Sequence, residues 1–180
     1  CSIIGARAFY SCIRLETVSF PVCTSIGSSA FSGCSRLTIA NFPECSIIRD
    51  SAFCSCYSLA SVSFPKCISI GVNAFRLCSS LTTVDFPACT SIGSYAFYSC
   101  TNLTNIIFPV CSSIGGYAFS YCYRLATAIF PVCNYIGASA FAYCSSLFSL
   151  YLFGTSIPSL ASYTAFNYTP MSKSTNNKYG

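Results

Sequence analysis

The sequence predicts an α/β repeat solenoid of 22-residue coils, with a parallel β-sheet on one face and short helices or 3₁₀ turns on the other. Three observations predict it. Fourteen of the fifteen cysteines, from Cys1 to Cys144, recur at an unbroken interval of eleven. Phe-Pro returns only at every second cysteine (Phe20-Pro21, Phe42-Pro43, Phe64-Pro65, Phe86-Pro87, Phe108-Pro109 and Phe130-Pro131), so the true period is 22 and the two cysteine sets lie in different environments. These prolines also rule out an eleven-residue helical coiled coil, because each would sit in a helix interior at a cost of about 3 kcal/mol.

Laid in register from Cys1, the unit reads C-x-x-I-G-x-x-A-F-x-x-C-x-x-L-x-x-V-x-F-P-x, and coils 1 to 7 begin at Cys1, Cys23, Cys45, Cys67, Cys89, Cys111 and Cys133. The isoleucine, alanine, phenylalanine and leucine columns hold in all seven, and the glycine column fails only at Arg49. Inward Val18 and Phe20 alternate with Thr17 and Ser19, which is strand periodicity, and Pro21 closes the strand. Ala8, Phe9, Cys12 and Leu15 stand at helical spacing, which predicts a short helix or 3₁₀ turn. Gly5 is expected to permit the turn between the two halves. A single coil buries too little to stand alone, so stability comes from stacking.

Leu15-x-x-Val18-x-Phe20-x-x-Cys23 has the L-x-x-L-x-L-x-x-N/C form of a leucine-rich repeat. With its continuation, Cys23-Thr-Ser-Ile26-Gly27-Ser-Ser-Ala30-Phe31-Ser-Gly-Cys34-Ser-Arg-Leu37, it resembles the BspA-like, or Treponema pallidum-type, leucine-rich repeat. The resemblance implies a right-handed leucine-rich-repeat solenoid with its strands on one face. It also implies a secreted or cell-surface protein, with signal and anchor outside this segment, and a protein partner on a cell surface or in the extracellular matrix, since several family members are linked to adhesion. Such repeats are a scaffold for unrelated partners, so the ligand itself is not implied.

Residues 1–153 are expected to form the seven coils, 154–170 a degenerate C-terminal coil containing Ile157-Pro158, Leu160 and Ala165-Phe166, and 171–180 a polar, truncated tail. The chain opens on a cysteine already inside a repeat and is read as part of a longer protein.

Only 7% of residues are charged and 53% are apolar, a balance that can mimic a membrane segment across Leu125 to Cys144. That window holds Pro131, Asn134 and Gly137 in the same register as every other coil, so no membrane span is read there. The cysteines are expected to be buried thiols: side chains in one column repeat about 4.8 Å apart, whereas a disulfide needs Cβ atoms near 3.8 Å. With no histidine and no C-x-x-C pair, the sequence offers no zinc site and implies no cofactor. Cys54 breaks the pattern and falls in a column expected to be exposed, whose other members include Tyr10, Ser32, Arg76, Tyr98, Ser120 and Ala142.

Catalytic sets are nearly empty. The acids are Glu16, Glu44, Asp50 and Asp85. Glu16 and Asp85 lie three coils apart, roughly 14 Å by strand spacing, beyond the roughly 5 to 9.5 Å of paired-carboxylate chemistry. No base is available to activate the many serines, so the chain reads as no enzyme. The net charge of +5 is spread without forming a stripe, which argues against nucleic acid. The Thr-x-Thr ladder of an ice-binding solenoid is missing, and the sequons at Asn102 and Asn167 are read as chance.

The outward strand positions carry the best functional clue. Ile107, Ile129 and Tyr151 fall in one outward column on successive coils and predict an apolar patch, rimmed by Asp85, Asn105 and Thr127. A competing expectation is that the irregular C-terminal coil or downstream sequence covers this patch. Eleven of the thirteen tyrosines lie from Tyr95 onward; Tyr95, Tyr98, Tyr117 and Tyr121, with Tyr123 and Tyr143, occupy variable positions on the other face and form a second candidate surface. Their competing role is to keep a chain with few charges wetted. The chain thus reads as a non-enzymatic protein-binding module, with a passive spacer or an intracellular interaction scaffold as alternatives.

Overall fold

The computed structural model describes residues 1–152, 159–160 and 163–170. The expected Ile157-Pro158 feature and the tail at 171–180 lie outside these residues. Every coil contributes two strands, one for each half of the 22-residue unit. Two-residue strands begin each coil: β1 Ile3–Ile4, β3 Ser25–Ile26, β5 Ile47–Ile48, β7 Ser69–Ile70, β9 Ser91–Ile92, β11 Ser113–Ile114, β13 Tyr135–Ile136 and β15 Ser159–Leu160. Three-residue strands precede each Phe-Pro position: β2 Thr17–Ser19, β4 Ile39–Asn41, β6 Ser61–Ser63, β8 Thr83–Asp85, β10 Asn105–Ile107, β12 Thr127–Ile129 and β14 Ser149–Tyr151.

All pairing is parallel between successive coils. The short strands form one eight-stranded sheet, and the longer ones form a four-stranded sheet, β2-β4-β6-β8, and a three-stranded sheet, β10-β12-β14. The register is the sequence period itself, with Val18 opposite Ala40 and Ile106 opposite Ala128. The eight-stranded sheet was not legible in the sequence, because two residues are too few to show alternation.

The glycine column owes its identity to this sheet rather than to a turn. A Cβ at Gly27 would lie 2.6 Å from the backbone of Gly5 and Ala6, and one at Gly115 would overlap Ser94 N. Coils therefore touch backbone to backbone here. Arg49 is the exception, and its N–H reaches Ile26 O at 3.0 Å where the glycines of coils 2 and 4 to 7 reach theirs at 2.8 Å. Relief of crowding at such a site is worth more than the roughly 1 kcal/mol entropic cost of glycine. Arg49→Gly is therefore expected to stabilise the protein by about 1 kcal/mol, read as a rise in melting temperature.

The expected helix or 3₁₀ turn on the opposite face is replaced by linked turns. Tyr10 and Cys12 N–H donate to Arg7 O and Phe9 O at 3.1 and 3.2 Å, but Arg7 and Ser11 have φ of 57° and 54°. These left-handed residues break helical continuity and aim the intervening N–H groups at the next coil. Phe9 N–H donates to Ala30 O at 2.7 Å and Ser11 N–H to Ser32 O at 2.8 Å. The reason is spacing: Phe9 and Phe31 stack at 5.0 Å, whereas an α-helix with side chains needs about 10 Å. Only a ribbon of turns fits a stack this tight.

Two phenylalanine columns fill the core. Phe31, Phe53, Phe75, Phe97 and Phe119 stack at 5.2 to 5.3 Å, and Phe20, Phe42, Phe64, Phe86, Phe108 and Phe130 at 5.4 to 5.9 Å. The columns meet each other edge-on or tilted, the favoured aromatic geometry. Beyond coil 7, Phe166 in the 3₁₀ turn η1 (Tyr163–Phe166) stacks on Phe141 at 5.7 Å, and Phe141 N–H donates to Ala165 O. Serine and threonine add side-chain rungs: Thr24, Thr38 and Thr90 hydroxyls donate to the carbonyls of Ser2, Glu16 and Ile68, each one coil back.

Candidate functional site

The sulfurs are structural. In the column from Cys23 to Cys133 each thiol donates to the carbonyl two residues on, as Cys67 does to Ser69 O at 3.2 Å. In the other column each thiol from Cys34 to Cys144 reaches back to a phenylalanine carbonyl of the previous coil, as Cys100 does to Phe75 O at 3.2 Å. Burial pushes the thiol of Cys45 up to about 11 and those of Cys67, Cys89, Cys111 and Cys144 up to about 12, with neighbouring sulfurs as a lesser cause at the first four. They are therefore poor nucleophiles. Two members depart from the expected burial: Cys1 and Cys12, both in coil 1, are exposed. Cys54 is partly buried, 3.7 Å from Ser55 Oγ, and its column is not uniformly exposed, since Ser120 and Ala142 are buried beneath tyrosines.

Each acid is tied to a neighbouring coil. Glu16 pairs with Arg36 and Glu44 with Lys66 at 2.6 Å, Asp50 accepts from Val72 N–H at 2.9 Å, and Asp85 accepts from Ser63 Oγ at 2.8 Å. Among the described residues, no three His, Cys, Asp or Glu side chains converge on a point where a metal ion would sit. No helix among them is long and apolar enough to cross a membrane.

The strand face brings Ile107, Ile129 and Tyr151 opposite one another on β10, β12 and β14, with Asn105 opposite Thr127 and Thr127 opposite Ser149. Ile107 and Tyr151 are 56% and 46% exposed, while Ile129 between them is half-buried. Phe148, just before β14, is a further exposed apolar side chain, at 73%. The sequence reading missed it because it precedes the alternating strand positions. Asp85 stands apart from this group. β8 and β10 share no ladder, Thr104 N–H reaches Thr82 O at 3.3 Å against 2.9 Å for Thr82 N–H to Ala60 O, and Val84 is half-buried. The break coincides with Ile106, the sole isoleucine of its column. On the opposite face Phe75, Phe97 and Phe119 keep an even 5.2 Å step, so the stack widens on the strand side alone.

The tyrosines form a second feature. Tyr95 stacks on Tyr117 at 4.9 Å, and Tyr121, Tyr143 and Tyr168 stack in turn at 4.5 and 4.6 Å. Tyr98 bridges the two columns, tilted against Tyr95 and edge-on to Tyr121, with the Arg76 guanidinium 5.5 Å from its ring. A groove of about 380 Å³ runs along them, with the buried Ser120, Ser139 and Ala142 among its lining. Loss of hydration and then the adjacent phenols of Tyr121 and Tyr168 raise the Tyr143 hydroxyl above its ordinary value. Tyr168 was missed in the sequence because it lies beyond the regular repeats.

Residues 2–125 and 68–177 match the BspA type leucine rich repeat region, in six copies. The chain belongs to the BspA-type leucine-rich repeat family. Its coils are similar to those of the T. pallidum leucine-rich repeat protein, at 29% identity and a TM-score of 0.58, over 83% of this chain and 62% of that one. A leucine-rich repeat protein from Eubacterium ventriosum ATCC 27560 shares the fold at 20% identity and a TM-score of 0.73, over 92% of this chain and 45% of that one. So does a leucine rich cell surface protein from Faecalibacterium prausnitzii A2-165, at 23% identity and 0.53, over 83% and 58%. This BspA-type chain thus spans 45 to 62% of the length of these proteins. No curated protein matches it.

Proposed function

We propose that this chain is the non-enzymatic recognition segment of a cell-surface or secreted protein, binding a protein of a cell surface or extracellular matrix through the strand face of coils 5 to 7. One observation carries the reading. Ile107, Ile129 and Tyr151 stand in register as one outward apolar column on three paired strands, with Phe148 a further exposed apolar side chain just before the last of them. Asn105 and Thr127 supply its polar rim. Membership of a repeat family that serves as a protein-interaction scaffold supports a binding role, and the description of the F. prausnitzii relative as a cell surface protein supports the location.

Immobilised matrix proteins probed with wild type and Ile129→Asp test the proposal. A charge placed mid-column is expected to weaken capture by about tenfold or more, the scale of a lost interface hot spot. A passive spacer predicts identical capture by both proteins, and that result would sink the proposal.

A further inference from the structure

The tyrosine groove has the chemistry of a separate site. Its two columns occupy the left-handed positions of the turn ribbon: Tyr95, Tyr117, Tyr121, Tyr143 and Tyr168 have φ between 57° and 62°. The same positions in other coils take mostly small or polar residues, such as Ser29, Asn73, Gly33 and Ser55. Five tyrosines gathered in one stretch of the turn ribbon replace the serine, asparagine and glycine of other coils with stacked rings.

Stacking fixes how these rings meet a ligand. Tyr143 is stacked on both faces and Tyr95, Tyr117, Tyr121 and Tyr168 on one each, so the columns present mainly a comb of ring edges and phenol hydroxyls. None of the groove-lining side chains is charged. Arg76 lies against the Tyr98 ring; along Tyr121, Tyr143 and Tyr168 a strongly charged ligand would lose water without meeting a charged lining side chain. A neutral chain rich in hydrogen-bond acceptors is the complement.

We propose that this groove binds a proline-rich segment in the polyproline II conformation. Two successive ring steps, of 4.5 and 4.6 Å from Tyr121 to Tyr168, carry the column about 9 Å. One polyproline turn of three residues rises about 9.3 Å. The peptide therefore repeats once for every two coils and presents the same contact to Tyr121 and Tyr168, with Tyr143 holding the two rings in register between them. Its backbone carbonyls are free of internal hydrogen bonds and accept from the Asn167 amide and from the phenol proton that the chain of hydroxyls Tyr121, Tyr143 and Tyr168 leaves unshared. Its pyrrolidine rings pack against the tyrosine edges, over the small floor of Ser120, Ser139 and Ala142. Because the ligand is extended before binding, little ordering entropy opposes the complex.

Fluorescence anisotropy with a labelled oligoproline of about one dozen residues, some four polyproline turns, tests this directly. A glycine-serine peptide of equal length and a soluble cello-oligosaccharide serve as competing probes. Saturable binding of oligoproline alone is expected. Tyr143→Ala is expected to weaken it by about tenfold, and Tyr143→Phe, which keeps the stack and loses one donor, by a few-fold. Tyr168→Ala, at a residue 69% exposed, tests the same column without touching the core. Ile129→Asp is expected to leave the titration unchanged, so failure here is separable from failure of the strand-face proposal. Equal binding of the glycine-serine peptide, preference for the oligosaccharide, or indifference to both tyrosine truncations would overturn the assignment.

Discussion

Raising the pH from about 8 to about 10 is expected to unfold the protein cooperatively, with thiolate absorbance rising as circular dichroism is lost. Eleven buried thiols have their proton affinity raised, chiefly by burial. Cysteine in the unfolded chain titrates near 8.5. Above that value the unfolded state releases protons that the folded state still holds, so stability falls as pH rises. The loss continues until the folded values of about 11 to 12 and beyond. Each thiol removes about 1.4 kcal/mol per pH unit in that window. Summed over the eleven, about 2 kcal/mol each between pH 8 and 10 exceeds the roughly 5 to 15 kcal/mol that holds a typical domain folded. A pH titration followed by circular dichroism checks this, and retained structure near pH 11 would refute it.

Phe97→Ala is expected to cost about 3 to 5 kcal/mol. Phe97 is fully buried, stacked 5.2 Å from both Phe75 and Phe119 and meeting Phe86 and Phe108 at 6.2 and 6.3 Å. Its removal interrupts its own column and strips a tilted partner from the other at mid-array, where no chain end is free to relax into the space. Repeat stability is a sum of local coil terms and nearest-neighbour interfaces. The thermal transition is therefore expected to fall by roughly 10 °C and to split, as the halves on either side of coil 5 lose their coupling. Phe148→Ala, at a 73% exposed site, is the matched control and is expected to change stability by no more than about 0.5 kcal/mol.

Much of the architecture was written in the columns. Cys, Ile, Phe and Leu positions returned at a fixed interval, and their burial and register follow from that interval. The turn face was not legible, because its decisive feature is a positive φ at Arg7, Ser29, Leu77 and Tyr95, residue types that do not announce one as glycine would. Ala8, Phe9, Cys12 and Leu15 do share a helical spacing, yet the tightness of the stack overrides it. The candidate strand site was readable as Ile107, Ile129 and Tyr151. Its separation from Asp85 was not, since coils 4 and 5 both fit the consensus. The tyrosines were readable as surface positions, but their ring-to-ring stacking needed coordinates.

The gap between β8 and β10 has a mechanical consequence. Backbone bonds and threonine rungs between coils run along the long axis, so tension on the ends loads them lengthwise. Where the strand-side ladder is missing, fewer bonds share the load. A stretched molecule therefore parts first between coils 4 and 5, and the tract bearing the Ile107 column and the tyrosine comb comes away as one piece.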